Sequence, residues 1–293
     1  MTLRDPQGRP LRGERVDIGG RALRTVRAGP SEGGPLVVLE CGAFGCAADW
    51  FVVQNLLAEQ GVRSLAYDRA GLGHSDPGPE PRDARAIAND LEVLVARIDA
   101  NSRLVLGGHS MAGLFLRSLA PRIGHRLDGL VLVDAVTPEY SAHPTAARMI
   151  DSFRLAMFGL DRVAGLGVMK AWALVAGDRI GLPPEVSLEK RQIYASASHA
   201  RTAAREVQQW PNSAEQGRMQ GPFDPDLPVA VVTAGAVPLP ADLQALQNAP
   251  ADHSRAGWVD RVPGAQHASL LGPRFAHRVV RGFEYVLSVS RAG

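Results

Sequence analysis

Leu104-Val105-Leu106-Gly107-Gly108-His109-Ser110-Met111-Ala112-Gly113 is the stretch that decides the fold. A short apolar run ends on small residues, one serine follows, and more small residues lead into a helical pattern. A chain presents a nucleophile in this way, on a tight strand-to-helix turn. The turn forces the serine backbone into a strained conformation, so the positions around it must lack bulk. Gly108 and Ala112, two residues to either side of Ser110, meet that demand. Glycine is usual at the second of these positions; here it is alanine, with Gly113 following. A small-x-Ser-x-small match is common by chance. Its weight comes from the strand before it, the helix after it and candidate partners in the right chain order.

Working outward, the chain alternates strand and helix signals. Glu14 to Ile18 and Arg21 to Arg27 flank Gly19-Gly20 and read as a hairpin. Leu36 to Glu40 is a buried-type strand that runs into Cys41-Gly42-Ala43-Phe44-Gly45, and Ala47 to Glu59 has a helical pattern. Val62 to Tyr67 is the next strand. Asp83 caps a helix to about Ile98, with apolar positions at Ile87, Leu91, Leu94 and Val95. Leu130 to Val133 is a strand ending at Asp134. Val229 to Thr233 and Trp258 to Val262 are later strands, and Pro273 to Val289 is a closing amphipathic helix. This alternation predicts an α/β protein with a doubly wound, mostly parallel sheet. Sites in such sheets lie at the carboxyl ends of the strands. Ser110, Asp134 and the Cys41-Gly42-Ala43 loop all fall there. Residues 138–226 interrupt the alternation with helical patterns rich in Met149, Phe153, Met157, Phe158, Met169 and Trp172. We read them as a helical cap inserted into a core of residues 1–137 and 227–293.

Bulk properties narrow the class. With 293 residues, 45% of them hydrophobic and 21% charged, the chain can bury a sizeable core. A net charge of +2 gives no electrostatic footprint for nucleic acid. The basic residues are nearly all arginine, Lys170 and Lys190 being the two lysines. Cys41 and Cys46 are too few for a disulfide framework or a structural metal site. No stretch reaches the roughly 18 apolar residues that span a bilayer, and Met1 to Pro6 carries no signal-like apolar segment. A cytoplasmic protein is therefore expected.

These motifs together resemble the α/β-hydrolase superfamily, in its capped serine-hydrolase branch of esterases and lactonases. The resemblance rests on Leu39 to Ala43 followed by Trp50, on Tyr67 to Ser75, on the Gly107 to Gly113 elbow and on His267 near the C-terminus. It implies the α/β-hydrolase fold with Ser110 as nucleophile and His267 as the base that takes its proton. It implies an oxyanion hole from the backbone N–H groups of Ala43 and Met111. The family often has His-Gly where this chain has Cys41-Gly42; Gly42 keeps the close backbone approach. Neither a metal nor an organic cofactor is implied. Epoxide hydrolases and dehalogenases on this fold use a carboxylate nucleophile, so Ser110 argues against both.

The acid is less plainly placed. The family usually takes it from the loop after the seventh strand, here Thr233 to Pro238, which holds no carboxylate. Asp242 lies farther on. Some branches take the acid from the end of the sixth strand, where this chain has Asp134. An unpaired charge among the apolar neighbours of Asp134 would be costly, and a histidine N–H would relieve it. Asp134 is the first choice and Asp242 the second; a structural aspartate capping the next turn is the bland alternative. His109 is expected to point away from the reacting centre, and His74 to rim it. His125, His143, His199, His253 and His277 read as surface or cap residues. Asp68 and Arg69 are expected to brace their turn, and the cap aromatics and methionines to form cap core and pocket roof. Cys41 is a weak alternative nucleophile, since a buried free cysteine usually just packs.

The expected activity is cleavage of an ester, thioester or lactone with an apolar portion. The competing classes are a lyase, epimerase or cyclase on the same frame, which would not incorporate water, and a ligand-binding protein of low turnover. Oligomeric state is not written in the sequence.

Overall fold

Strands that are apolar at every position suit a sheet covered on both faces. The computed structural model, which describes Gly8 and residues 11–290, gathers eight strands into one such sheet. They are β1 (Glu14–Asp17), β2 (Ala22–Ala28), β3 (Leu36–Glu40), β4 (Ser64–Tyr67), β5 (Leu104–His109), β6 (Leu127–Val133), β7 (Val229–Ala234) and β8 (Gly257–Val262). Their spatial order is β1-β2-β4-β3-β5-β6-β7-β8. β2 pairs antiparallel with β1 and with β4; every later pairing is parallel.

Period-two alternation splits the core into two layers. Val37 and Leu39 of β3 and Val105 of β5 pack with α1 (Phe51–Glu59) and α11 (Ala276–Ser290), through Val53, Leu57, Val279 and Phe283. Leu36 and Val38, with Leu104 and Leu106, face the other way. They meet α2 (Ala84–Ile98) and α3 (Ala112–Leu119) through Leu91, Leu94, Leu116 and Leu119. The Asp83 side chain accepts from the Ala86 N–H and starts α2, as its sequence signal predicts. The helix expected from Ala47 begins instead with a tighter 3₁₀ turn, Ala47–Trp50, whose first N–H is taken by Asp68.

Between β6 and β7 the chain forms α4 (Pro138–Ala142), α5 (Pro144–Val163), α6 (Val168–Ala176), α7 (Pro184–Tyr194), α8 (Ala197–Gln208) and α9 (Trp210–Met219). Another helix, α10 (Ala241–Asp252), follows β7. Its sequence gives a weak signal because Pro250 lies inside it; the proline removes the N–H that would bond the Leu246 carbonyl, and that carbonyl accepts from the Thr137 hydroxyl at 3.4 Å instead. Among the described residues no helix is long and apolar enough to cross a membrane.

Candidate active site

Ser110 sits at the end of β5 with φ of 61°, a conformation that costs a serine energy and persists only where surroundings enforce it. The enforcement is local. The Ser110 N–H donates to the Val133 carbonyl at 3.1 Å, and the Ser110 carbonyl accepts from Val136 at 2.9 Å. The elbow is thus bolted to the end of β6. Bulk is forbidden at Gly113 as well: a Cβ there would lie 2.3 Å from the Val136 carbonyl oxygen.

Asp134 follows β6 directly, with φ of 44°. Its Oδ2 lies 2.6 Å from His267 Nδ1. Its Oδ1 accepts from the Ala234 N–H at 3.1 Å and from Gln247 Nε2 at 2.9 Å. Burial alone would push this carboxyl up, but the hydrogen bond and charge of His267 more than offset it and hold it below the usual range. Asp242 goes elsewhere: it is exposed and meets His143 Nε2 at 3.0 Å. Gln247 had no signal at the level of sequence, because its helix was weakly marked.

His109 departs from expectation. Its ring does not point away but packs on the ring of His267, with centroids 4.4 Å apart. His109 Nε2 also bonds the His267 carbonyl at 3.1 Å. Strand alternation places it on the Val105 face of β5, at the strand end that meets the loop after β8. Burial and the neighbouring His267 push His109 down to about 3, so it is a neutral plate at ordinary pH.

The loop after β3 closes on the other side of Ser110. A Cβ on Gly42 would fall 2.8 Å from Ser110 Cβ, so only glycine permits this approach. Arg69 holds the loop by donating to the carbonyls of Cys41 at 2.6 Å and Gly42 at 2.9 Å. Its remaining donors meet Glu40 and Glu206, at 2.7 Å each. Arg69 therefore braces this loop rather than its own turn. Asp68 accepts from the His74 N–H at 2.9 Å. Phe44, next after Ala43, has φ of 60° and packs edge-on to His199. His199 is buried, accepts from the Gly73 N–H through Nδ1, and is pushed down to about 4 chiefly by burial. Among the described residues no acceptor takes the N–H of Ala43 or of Met111. Cys41 and Cys46 are free and buried, and burial raises both thiols well above their ordinary range. A raised thiol is a poor nucleophile at neutral pH.

Phe44, Ser110 and Asp134 are the non-glycine residues with positive φ among those described, and all three line one cleft of about 740 Å³. Ala43 and His267 line it too. Ser110 and His267 border this common space without a hydrogen bond between them. The opposite wall is apolar, from Met149, Ile150, Phe153, Met157, Trp172 and Trp210 of the helical insertion. Phe158 is instead exposed and Met169 is buried, so the expected roof comprises only part of the aromatic and methionine set. Among the described residues no group of three or more His, Cys, Asp and Glu is placed to hold a metal ion.

Comparison with known proteins agrees with this frame. A "Probable transporter efuK" from Hormonema carpetanum is 30% identical over 203 residues, 64% of this chain but 28% of that protein. The chain thus spans under a third of the length of that relative. Among solved structures, a thermophilic esterase from Thermogutta terrifontis superposes with a TM-score of 0.69 at 22% identity, covering 95% of this chain and 99% of that one. The enol-lactonase from Burkholderia xenovorans superposes with a TM-score of 0.66 at 19% identity, covering 94% of this chain and 100% of that one. At such identities the likeness is one of fold. Residues 35–216 match the family described as alpha/beta hydrolase fold, and the chain belongs to that family.

Proposed function

We propose that this chain is a serine hydrolase that cleaves a carboxylic ester, thioester or lactone carrying an apolar portion. The observation that carries the reading is the shared cleft of a strained Ser110 and a His267 whose Nδ1 meets Asp134 at 2.6 Å. Asp134 fixes the tautomer of His267, leaving Nε2 to take the Ser110 proton as Oγ attacks the carbonyl carbon. The N–H groups of Ala43 and Met111 receive the developing oxyanion. His267 then returns the proton to the leaving oxygen or sulfur, and an acyl-enzyme remains on Ser110. Water, deprotonated by His267, adds to that acyl carbon and releases the acid, regenerating Ser110. In a lactone the leaving oxygen stays tethered, so one hydroxy acid is released. Residues 138–226 act as the cap, and their apolar side chains select the acyl or alkyl part.

The first test is intact mass after incubation with a serine-directed phosphonate. A single adduct on wild type, absent from Ser110→Ala, is expected; a well-folded wild type that takes no adduct overturns the reading. Asp134→Asn should lower kcat by roughly 10⁴-fold, the scale seen when a triad histidine is left in the wrong tautomer. Asp242→Asn should stay within a few-fold of wild type. The reverse ranking would move the acid to Asp242.

A further inference from the structure

Two cationic side chains line the apolar cleft and are unused by the proposed chemistry: Arg179, which is exposed, and Lys190, which is buried. Lys190, of α7, is 4% exposed, with Nζ 2.7 Å from Asp49 Oδ1. Asp49 stands beside the loop after β3: a Cβ on Gly45 would lie 3.1 Å from its Oδ2, as one on Gly42 would lie 2.8 Å from Ser110 Cβ. The ammonium thus sits along the same loop that approaches the nucleophile. An ammonium has three N–H donors, and among the described residues Asp49 alone accepts from this one. Its other neighbour is the ring of Tyr194, 5.1 Å from Nζ. That ring is fixed between Trp172 at 5.5 Å and His199 at 5.4 Å. We propose that Lys190, backed by Asp49 and set against Tyr194, is a specificity subsite for a neutral carbonyl or hydroxyl oxygen on the apolar portion of the substrate.

The other cations that tie the insertion to the sheet behave differently. Arg69 spends its donors on Glu40, Glu206 and two backbone carbonyls, and Arg24 meets Glu189, Asp68 and the Arg12 carbonyl. Neither lines the cleft. Lys190 does, with donors to spare, in a chain that otherwise uses arginine almost throughout. A compact ammonium can turn a free N–H toward a ligand, where a planar guanidinium locks onto its partners. Burial disfavours the ammonium, but Asp49 outweighs that and holds it charged. A neutral acceptor fits better than a carboxylate because Asp49 already balances the charge. A second anion would be desolvated beside a compensated pair, whereas a ketone or hydroxyl oxygen completes the hydrogen bonding of a buried donor.

This subsite rests on the hydrolase reading for its kinetic test. We would compare p-nitrophenyl esters of straight alkanoic acids with the same acids bearing one ketone at successive carbons, and with the matched half-esters of dicarboxylic acids. Wild type should favour one keto position over its alkanoyl parent by roughly tenfold or more in kcat/KM, the scale of one hydrogen bond to a charged donor. Lys190→Met should collapse that ratio toward one. Because Lys190→Met strands a buried Asp49, the double variant Asp49→Asn/Lys190→Met serves as the folded control and should show the same collapse. An unchanged ratio in both variants, or no keto preference in an active wild type, overturns the subsite. A half-ester preference that Lys190→Met removes overturns its neutral character, whereas one that survives it belongs to Arg179 and leaves the keto ratio to decide the subsite. Should no ester turn over and no phosphonate adduct form, the hydrolase reading fails by itself. The subsite is then read from binding of the keto and plain methyl esters to Ser110→Ala by tryptophan fluorescence. Equal binding there overturns it, and keto-selective binding lost in the Asp49→Asn/Lys190→Met background supports it.

Discussion

The two halves of the helical insertion meet the rest of the molecule in opposite ways. The α7–α8 half is tied to the sheet by buried ion pairs: Glu189 with Arg24, Lys190 with Asp49, and Glu206 with Arg69. The α5–α6 half has no ion pair to the sheet among the described residues. Its charges pair within the insertion, as Arg154 does with Asp151 and Asp161 with Arg205. It leaves Leu155, Leu166, Leu174 and Val175 more than 70% exposed. Yet both halves line the cleft, one with Lys190 and Tyr194 and the other with Met149, Phe153, Met157 and Trp172. The pinned half also holds the loop beside Ser110, through Arg69 and His199. The difference separates a wall fixed to the sheet by buried ion pairs from a wall that, among the described residues, has none to it. Regions with few buried contacts open at lower free energy than the core.

Breaking the pinned half should have the largest effect on stability. Arg69→Met leaves Glu40 and Glu206 buried without their partner, and removing one member of a buried pair costs about 3–5 kcal/mol. Urea unfolding should show that loss; a cost under about 1 kcal/mol would mean that the network carries little. The acid limb sharpens the same contrast. His199, held near 4 against an ordinary 6.5, is less protonated in the folded than in the unfolded chain between those values. Stability therefore rises with pH across that window and is lost as pH falls through it. His199→Phe should remove one proton from that dependence, about 1.4 kcal/mol per pH unit. Urea midpoints between about pH 7 and pH 4.5 measure it, and parallel curves for variant and wild type would refute it. The smallest effect belongs to the loose half. Leu174→Ser should change stability by no more than about 0.5 kcal/mol, as expected of an exposed site. In hydrogen exchange, α5 and α6 should exchange before α7 and α8. The opposite order would dissolve the comparison.

The strained turn at Ser110 was legible because it is local. Small residues around Ser110, a buried run before it and an amphipathic helix after it all follow from near-neighbour sterics and strand or helix periodicity. The parallel sheet was legible for the same reason, since continuous apolar strands need helices on both faces. Asp134 could be ranked above Asp242 from its apolar setting, but its bond to His267 spans the fold. Other features left no local trace. The stacking of His109 on His267 depends on which face of β5 meets the loop after β8. Gln247 reaches Asp134 from a helix that Pro250 obscured. Each buried pair between insertion and sheet joins residues more than a hundred positions apart, and a charge in a sequence looks alike whether solvated or buried. Sequence alone determined the elements and the residue types able to do chemistry, because periodicity and turn sterics act over a few residues. Only the tertiary structure decided which charges are compensated and which donors remain free in the cleft, because burial and pairing are properties of packed surfaces.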